Sequence, residues 1–139
     1  MGVFFKDIIG QKGVIEQLRR CVDENSLAHA LLITGPRGNG KLAIAIALAN
    51  YILCGNRSGD VCGTCPACVK LDKFIHSDLH FVFPVKKKKG SSSDTAPISD
   101  DYIAEWRELL AKGAYFGYDD WLQKLDVENQ QPMIYERES

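Results

Sequence analysis

Leu31-Leu32-Ile33-Thr34-Gly35-Pro36-Arg37-Gly38-Asn39-Gly40-Lys41-Leu42 is the stretch on which the reading of this chain turns. Four residues without charge run into a glycine-rich segment, and a lysine follows the last glycine. The segment has the G-x-x-x-x-G-K spacing of a phosphate-binding loop. Glycines let a backbone bend round an anion and turn several N–H groups toward it. A helix that starts at the lysine adds its positive N-terminal end. Position 42 breaks the pattern. A hydroxyl residue belongs there, as a Mg²⁺ ligand, and Leu42 has no oxygen to offer. The stretch therefore reads as the architecture of a nucleotide loop with its metal ligand missing.

The pattern extends outward on both sides. Leu42 to Leu53 is apolar nearly all round and free of Gly and Pro, which predicts a buried helix. With residues 31–34 as a strand, this makes a β-loop-α unit and predicts an α/β fold, a parallel sheet flanked by helices. Upstream, Val14, Ile15, Leu18, Cys21 and Val22 share one face of an amphipathic helix, closed by Asp23-Glu24-Asn25-Ser26. Cys21 reads as part of that apolar face and His29 as a structural residue at the strand entrance.

Cys54, Cys62, Cys65 and Cys68 follow, spaced C-x7-C-x2-C-x2-C. Two overlapping C-x2-C steps let thiolates converge on one ion, and four thiolates close a tetrahedral zinc shell with no open position. A redox pair would use two of the four and leave two idle. His76 and His80 are alternative ligands for a shell the cysteines already fill. Pro66 predicts a helix start, with Ala67–Phe74 helical. The expected zinc insertion is 54–75, held by metal because so small a segment has little core of its own.

Phe81-Val82-Phe83 reads as a second buried strand stopped by Pro84. Residues 85–99, with Lys86–Lys89 and a Ser-rich run, read as a mobile, solvated loop. Residues 100–126 read as a helical segment, opened by an N-cap at Ser99. It carries two aromatic stripes, one through Tyr102, Ile103, Trp106, Leu109 and Leu110, the other on a shorter helix through Tyr118, Trp121, Leu122 and Leu125. Both stripes read as packing surface. No apolar strand after the loop ends in the acidic pair that would hold Mg²⁺ and position water. One strand pair is also too little for a parallel sheet, so the 139 residues read as the N-terminal part of an incomplete domain.

The totals bound the function. A formal charge of −1 supplies no global basic field for nucleic acid. No apolar run approaches the length of a membrane span and no signal-peptide layout is visible, so the expected compartment is the cytoplasm.

Taken in order, several segments resemble one family. They are Phe5-Lys6-Asp7-Ile8-Ile9-Gly10-Gln11, His29-Ala30-Leu31-Leu32, Gly35 to Lys41, the four cysteines, and His76-Ser77-Asp78-Leu79-His80. This order resembles the delta-prime and gamma/tau clamp-loader subunits of bacterial DNA polymerase III, over residues 4 to about 84. The resemblance implies an AAA+ module carrying a zinc insertion. It implies a role in DNA replication, in the assembly that loads the sliding clamp onto primed DNA. It implies delta and gamma/tau subunits as partners within the polymerase holoenzyme, with DNA met indirectly and no membrane. Gly35, Pro36, Arg37, Gly38, Asn39, Gly40, Lys41 and Leu42 would line the ATP site, and Ile8 and Ile9 would flank its adenine. Leu42 points to the delta-prime type, a stator with a vestigial ATP site and no catalytic residue of its own.

Two readings of other classes stand beside it. A gamma/tau-like ATPase would bind and hydrolyse ATP, against the missing Mg²⁺ ligand. A zinc-dependent nucleic-acid-binding module would want a basic stripe that the composition does not supply.

Overall fold

The computed structural model describes residues 2–87, 96–127 and 131–135. Five α-helices are present among them: α1 (Lys12–Asp23), α2 (Lys41–Leu53), α3 (Pro66–Leu71), α4 (Ile103–Ala111) and α5 (Tyr118–Leu125). Short 3₁₀ turns occur at Phe5–Asp7 and Ser99–Tyr102. The chain divides into two compact units. One comprises Met1–Leu79 with Gly113–Tyr115, the other His80–Lys112 with Phe116–Ser139.

The first unit is built round α2. Ala43, Ile44, Ile46, Ala47, Leu48, Asn50 and Tyr51 are all buried, as expected of a helix apolar on every side. Phe5 packs its ring on Tyr51, with centroids 5.5 Å apart, and α1 contributes Ile15 and Val22. Fully buried Asn50 donates from Nδ2 to the carbonyl of Val3 at 2.7 Å, which fixes the N-terminal segment to the helix. Tyr51 donates to the Asp23 carboxylate at 2.8 Å and ties α2 to the end of α1.

Three helices end alike, on a non-glycine residue in the left-handed region. At Asn25 (φ 53°) the Ser26 N–H bonds Cys21 O; at Phe74 (φ 56°) Ile75 bonds Lys70 O; at Asp126 (φ 51°) Val127 bonds Leu122 O. This six-to-one closure satisfies carbonyls that the last turn leaves open. It shortens the expected 67–74 helix, because the chain reverses at Phe74 to bury that side chain.

In the second unit Trp106 lies at the centre of an aromatic cluster. Phe83 stacks on it at 4.3 Å and 13°, while Trp121 and Phe116 meet it edge-on at 5.1 and 5.3 Å. Trp121 donates from Nε1 to Pro84 O at 2.7 Å. Ser99 is no N-cap. Its hydroxyl bonds the N–H and C=O of Phe83, both at 3.0 Å, and Asp101 accepts the Ile98 N–H instead. The expected 100–126 helical segment comprises two helices, the second the shorter, separated between Ala111 and Tyr118, where Gly113 takes φ 135°.

The expected sheet is not formed by the described residues. Among the described residues there is no β-strand, only an isolated antiparallel bridge between Val85 and Met133. Residues 31–34 form no strand, and Leu32 is 89 % exposed. Residues 81–83 form none either. A strand is defined by a neighbour that takes its N–H and C=O groups, and apolar character alone cannot supply one. Of the lysine- and serine-rich loop expected at 85–99, residues 88–95 lie outside the described residues.

Candidate metal centre and nucleotide loop

Cys54 caps the C-terminus of α2, where its N–H bonds Asn50 O. The chain then turns through Gly59 and Gly63, both in the left-handed region, to Cys62 and to Cys65, the N-cap of α3. Pro66 opens that helix and sets buried Cys68 in its first turn. Two helix ends and a turn thus bring four sulfurs within 4.8 Å of one another.

The spacing fits a metal. Cys54–Cys62, Cys62–Cys68 and Cys54–Cys68 sulfurs are 3.6, 3.8 and 3.5 Å apart. A tetrahedron of thiolates bonded at about 2.3 Å has edges of about 3.8 Å. All four cysteines are free, so the cluster is not a set of disulfides. Backbone N–H groups point at the sulfurs: Cys62 N at Cys54 Sγ, Cys65 N at Cys62 Sγ and Cys68 N at Cys65 Sγ, at 3.4–3.5 Å. Such donors favour the anionic form. The N–H groups of Thr64 and Cys65 lower the Cys62 thiol to about 6, and that of Cys68 lowers Cys65. Burial pushes Cys68 up to about 12. A cation among the four would reverse that last preference, since a coordinating thiol is deprotonated outright. His76 turns its Nδ1 to the Asp78 N–H at 3.2 Å, and the cluster that could hold a metal among the described residues is the cysteines alone.

The loop from Gly35 to Gly40 carries three glycines with positive φ, 154° at Gly35, 81° at Gly38 and 72° at Gly40. Gly40 is buried and caps α2, accepting from Ile44 N at 2.9 Å. Pro36, Arg37, Gly38 and Asn39 are exposed. Lys41 folds back, donating from Nζ to Gly35 O at 2.7 Å and Pro36 O at 2.6 Å. Leu42 is half-buried in the first turn of α2. Ile8 is buried, whereas Ile9 is 82 % exposed.

One neighbour of this loop has no signature in the spacing. Tyr115, 106 residues from Ile9, accepts the Ile9 N–H at its hydroxyl, 2.9 Å away. Its ring lies against Gly40, where an added Cβ would stand 2.9 Å from Tyr115 Cε1. Tyr115 sits in a short Gly-Ala-Tyr-Phe-Gly link between helices, and no local periodicity marks it out.

The first unit thus carries a glycine loop that opens a buried helix and four cysteines whose sulfurs are positioned to hold a metal ion. The sequence profile of the family described as "DNA polymerase III, delta subunit" matches residues 10–119, and the chain belongs to that family. Curated relatives agree. DNA polymerase III subunit delta' of Bacillus subtilis is 34 % identical over 74 residues, 53 % of this chain and 22 % of the relative. Subunit gamma/tau of Mycoplasma pneumoniae is 36 % identical over 86 residues, 62 % and 12 % respectively. Subunit gamma/tau of Mycobacterium tuberculosis is 31 % identical over 97 residues, 69 % and 17 %. The chain thus spans about a fifth or less of the length of these relatives. No solved structure matches. No described helix is long and apolar enough to cross a membrane.

Proposed function

We propose that this chain serves as a delta-prime-type clamp-loader subunit, a non-catalytic stator among delta and gamma/tau partners. The observation that carries the reading is Leu42, an aliphatic side chain where a Mg²⁺ ligand belongs, on a loop otherwise of nucleotide-binding form. Catalysis of phosphoryl transfer depends on the metal to neutralise developing charge, so this loop is unsuited to turnover. Cys54, Cys62, Cys65 and Cys68 hold a structural zinc ion. The metal acts there as a cross-link between the end of α2 and the start of α3.

The test is a Mg-ATP titration by calorimetry with turnover measured alongside, on the chain and on Leu42→Thr. Copurification with delta and gamma/tau subunits is scored in parallel. The stator reading expects assembly, no turnover by the parent, and some gain of nucleotide binding in Leu42→Thr. ATP hydrolysis by the parent would overturn it in favour of a gamma/tau-like ATPase. That second reading has its own support in the intact glycines and Lys41 and in the similarity to gamma/tau subunits.

A further inference from the structure

We propose that Tyr115 occupies the place beside the glycine loop that a nucleoside would take, so that its ring and a purine nucleotide compete for it. The inference rests on reading Gly35–Leu42 as a nucleotide loop and Ile8–Ile9 as the segment beside the base. A bound base is oriented by a few backbone N–H and C=O groups and by apolar surface. Exposed Ile9 offers both, an outward side chain and an N–H. The Tyr115 hydroxyl already takes that N–H, at 2.9 Å.

The same hydroxyl end of the ring also meets the loop itself. A Cβ built on Gly40 would lie 2.9 Å from Cε1, 3.3 Å from Cζ and 3.3 Å from the hydroxyl oxygen. Contact that close is open only to glycine, and it leaves no thickness for a sugar or base between ring and backbone. The lysine of the loop is likewise held internally, its ammonium bonding the carbonyls of Gly35 and Pro36. The occlusion is built to open. Tyr115 is 48 % exposed, whereas its neighbour Ala114 is buried, and Gly113 before them takes φ 135°. Swinging the ring out breaks its bond to Ile9 and disturbs little of the core. Since Leu42 supplies no metal ligand, the competing ligand is a purine nucleoside diphosphate bound without Mg²⁺.

The test titrates the full chain with N-methylanthraniloyl-ADP, no Mg²⁺ added, against Tyr115→Ala and Tyr115→Phe, and follows exchange of the Ile9 amide by NMR. When the open state is a minor fraction, the apparent affinity is reduced by that fraction. Tyr115→Ala is therefore expected to bind about tenfold more tightly or better. Tyr115→Phe keeps the ring and loses the hydroxyl, so the Ile9 amide exchanges faster without nucleotide. That readout stands even if Tyr115→Ala folds poorly. Equal or weaker binding by a folded Tyr115→Ala overturns the proposal, and so does silence in both parent and variant. Unchanged Ile9 exchange in Tyr115→Phe overturns it too. Assembly with clamp-loader subunits is scored separately. A chain that tightens on Tyr115→Ala but fails to assemble keeps the occlusion and loses the stator reading.

Discussion

The sulfurs of Cys54 and Cys68 stand 3.5 Å apart, although 14 positions separate them in the chain. One ends α2 and the other begins α3, so whatever joins them joins two helices. Thiols at that distance without a cation leave buried Cys68 in the neutral form, because burial disfavours its charge. A closed thiolate shell round one ion removes this conflict.

Metal analysis of the purified chain is accordingly expected to find about one zinc per molecule. Cys65→Ser should lose most of it and expose the 54–68 backbone to hydrogen exchange. A chelator acting on the parent should reproduce the change. The buried face of α2 should stay protected. Full metal content and unchanged exchange in Cys65→Ser would remove the four-cysteine site.

Asn50 is the one polar side chain in the described core, and its Nδ2 holds the Val3 carbonyl. Asn50→Ala leaves that carbonyl unpaired, at a cost of about 1–3 kcal/mol. Among the described residues the Oδ1 atom has no partner, so removing it returns part of that cost and favours the lower end of the range. Urea unfolding followed by far-UV circular dichroism reads the loss. A variant as stable as the parent would mean that the N-terminal segment is held by its apolar residues alone.

Both tryptophans lie in the second unit, so tryptophan fluorescence reports on that unit. Trp121 is buried, meets Trp106 and Phe83 edge-on, and bonds Pro84 O. Trp121→Ala is expected to cost about 3–5 kcal/mol. Trp121→Phe keeps most of the ring and should cost less. Equal loss in the two variants would place the stabilisation in the hydrogen bond to Pro84.

Glu108 accepts from the Lys124 ammonium across α4 and α5, and this bond holds its carboxyl below the usual carboxylate range. The folded state thus binds the proton more weakly than the unfolded chain. The stability gained is present in full above the unfolded value of about 4.3 and is lost as pH falls through the lower folded value. Glu108→Gln should lower the melting temperature slightly at neutral pH and converge with the parent in strong acid. Because the pair is exposed, added salt should shrink the difference. A difference that persists unchanged in acid would assign the effect to packing.

The sequence by itself determined the features written over short distances. Glycine spacing and Lys41 marked the loop, and in the structure that loop does open a buried helix. Apolar periodicity placed α1, α4 and α5, an apolar run free of Gly and Pro placed α2, and C-x2-C steps marked sulfurs that do converge. Each follows from helical pitch or from the reach of a tight turn, which a few neighbouring residues settle. What only the tertiary structure decided depends on partners far along the chain. Leu31–Thr34 and Phe81–Phe83 had strand character, but a strand needs a second backbone, and none pairs with them among the described residues. Ser99 had the chemistry of a cap and spends it on Phe83. Tyr115 reaches the glycine loop because the link between α4 and α5 packs, at Gly113–Tyr115, against the first unit's own residues Ile9 and Gly40. Its bond to Ile9 spans 106 positions, a distance over which spacing carries no information and only the packed chain does.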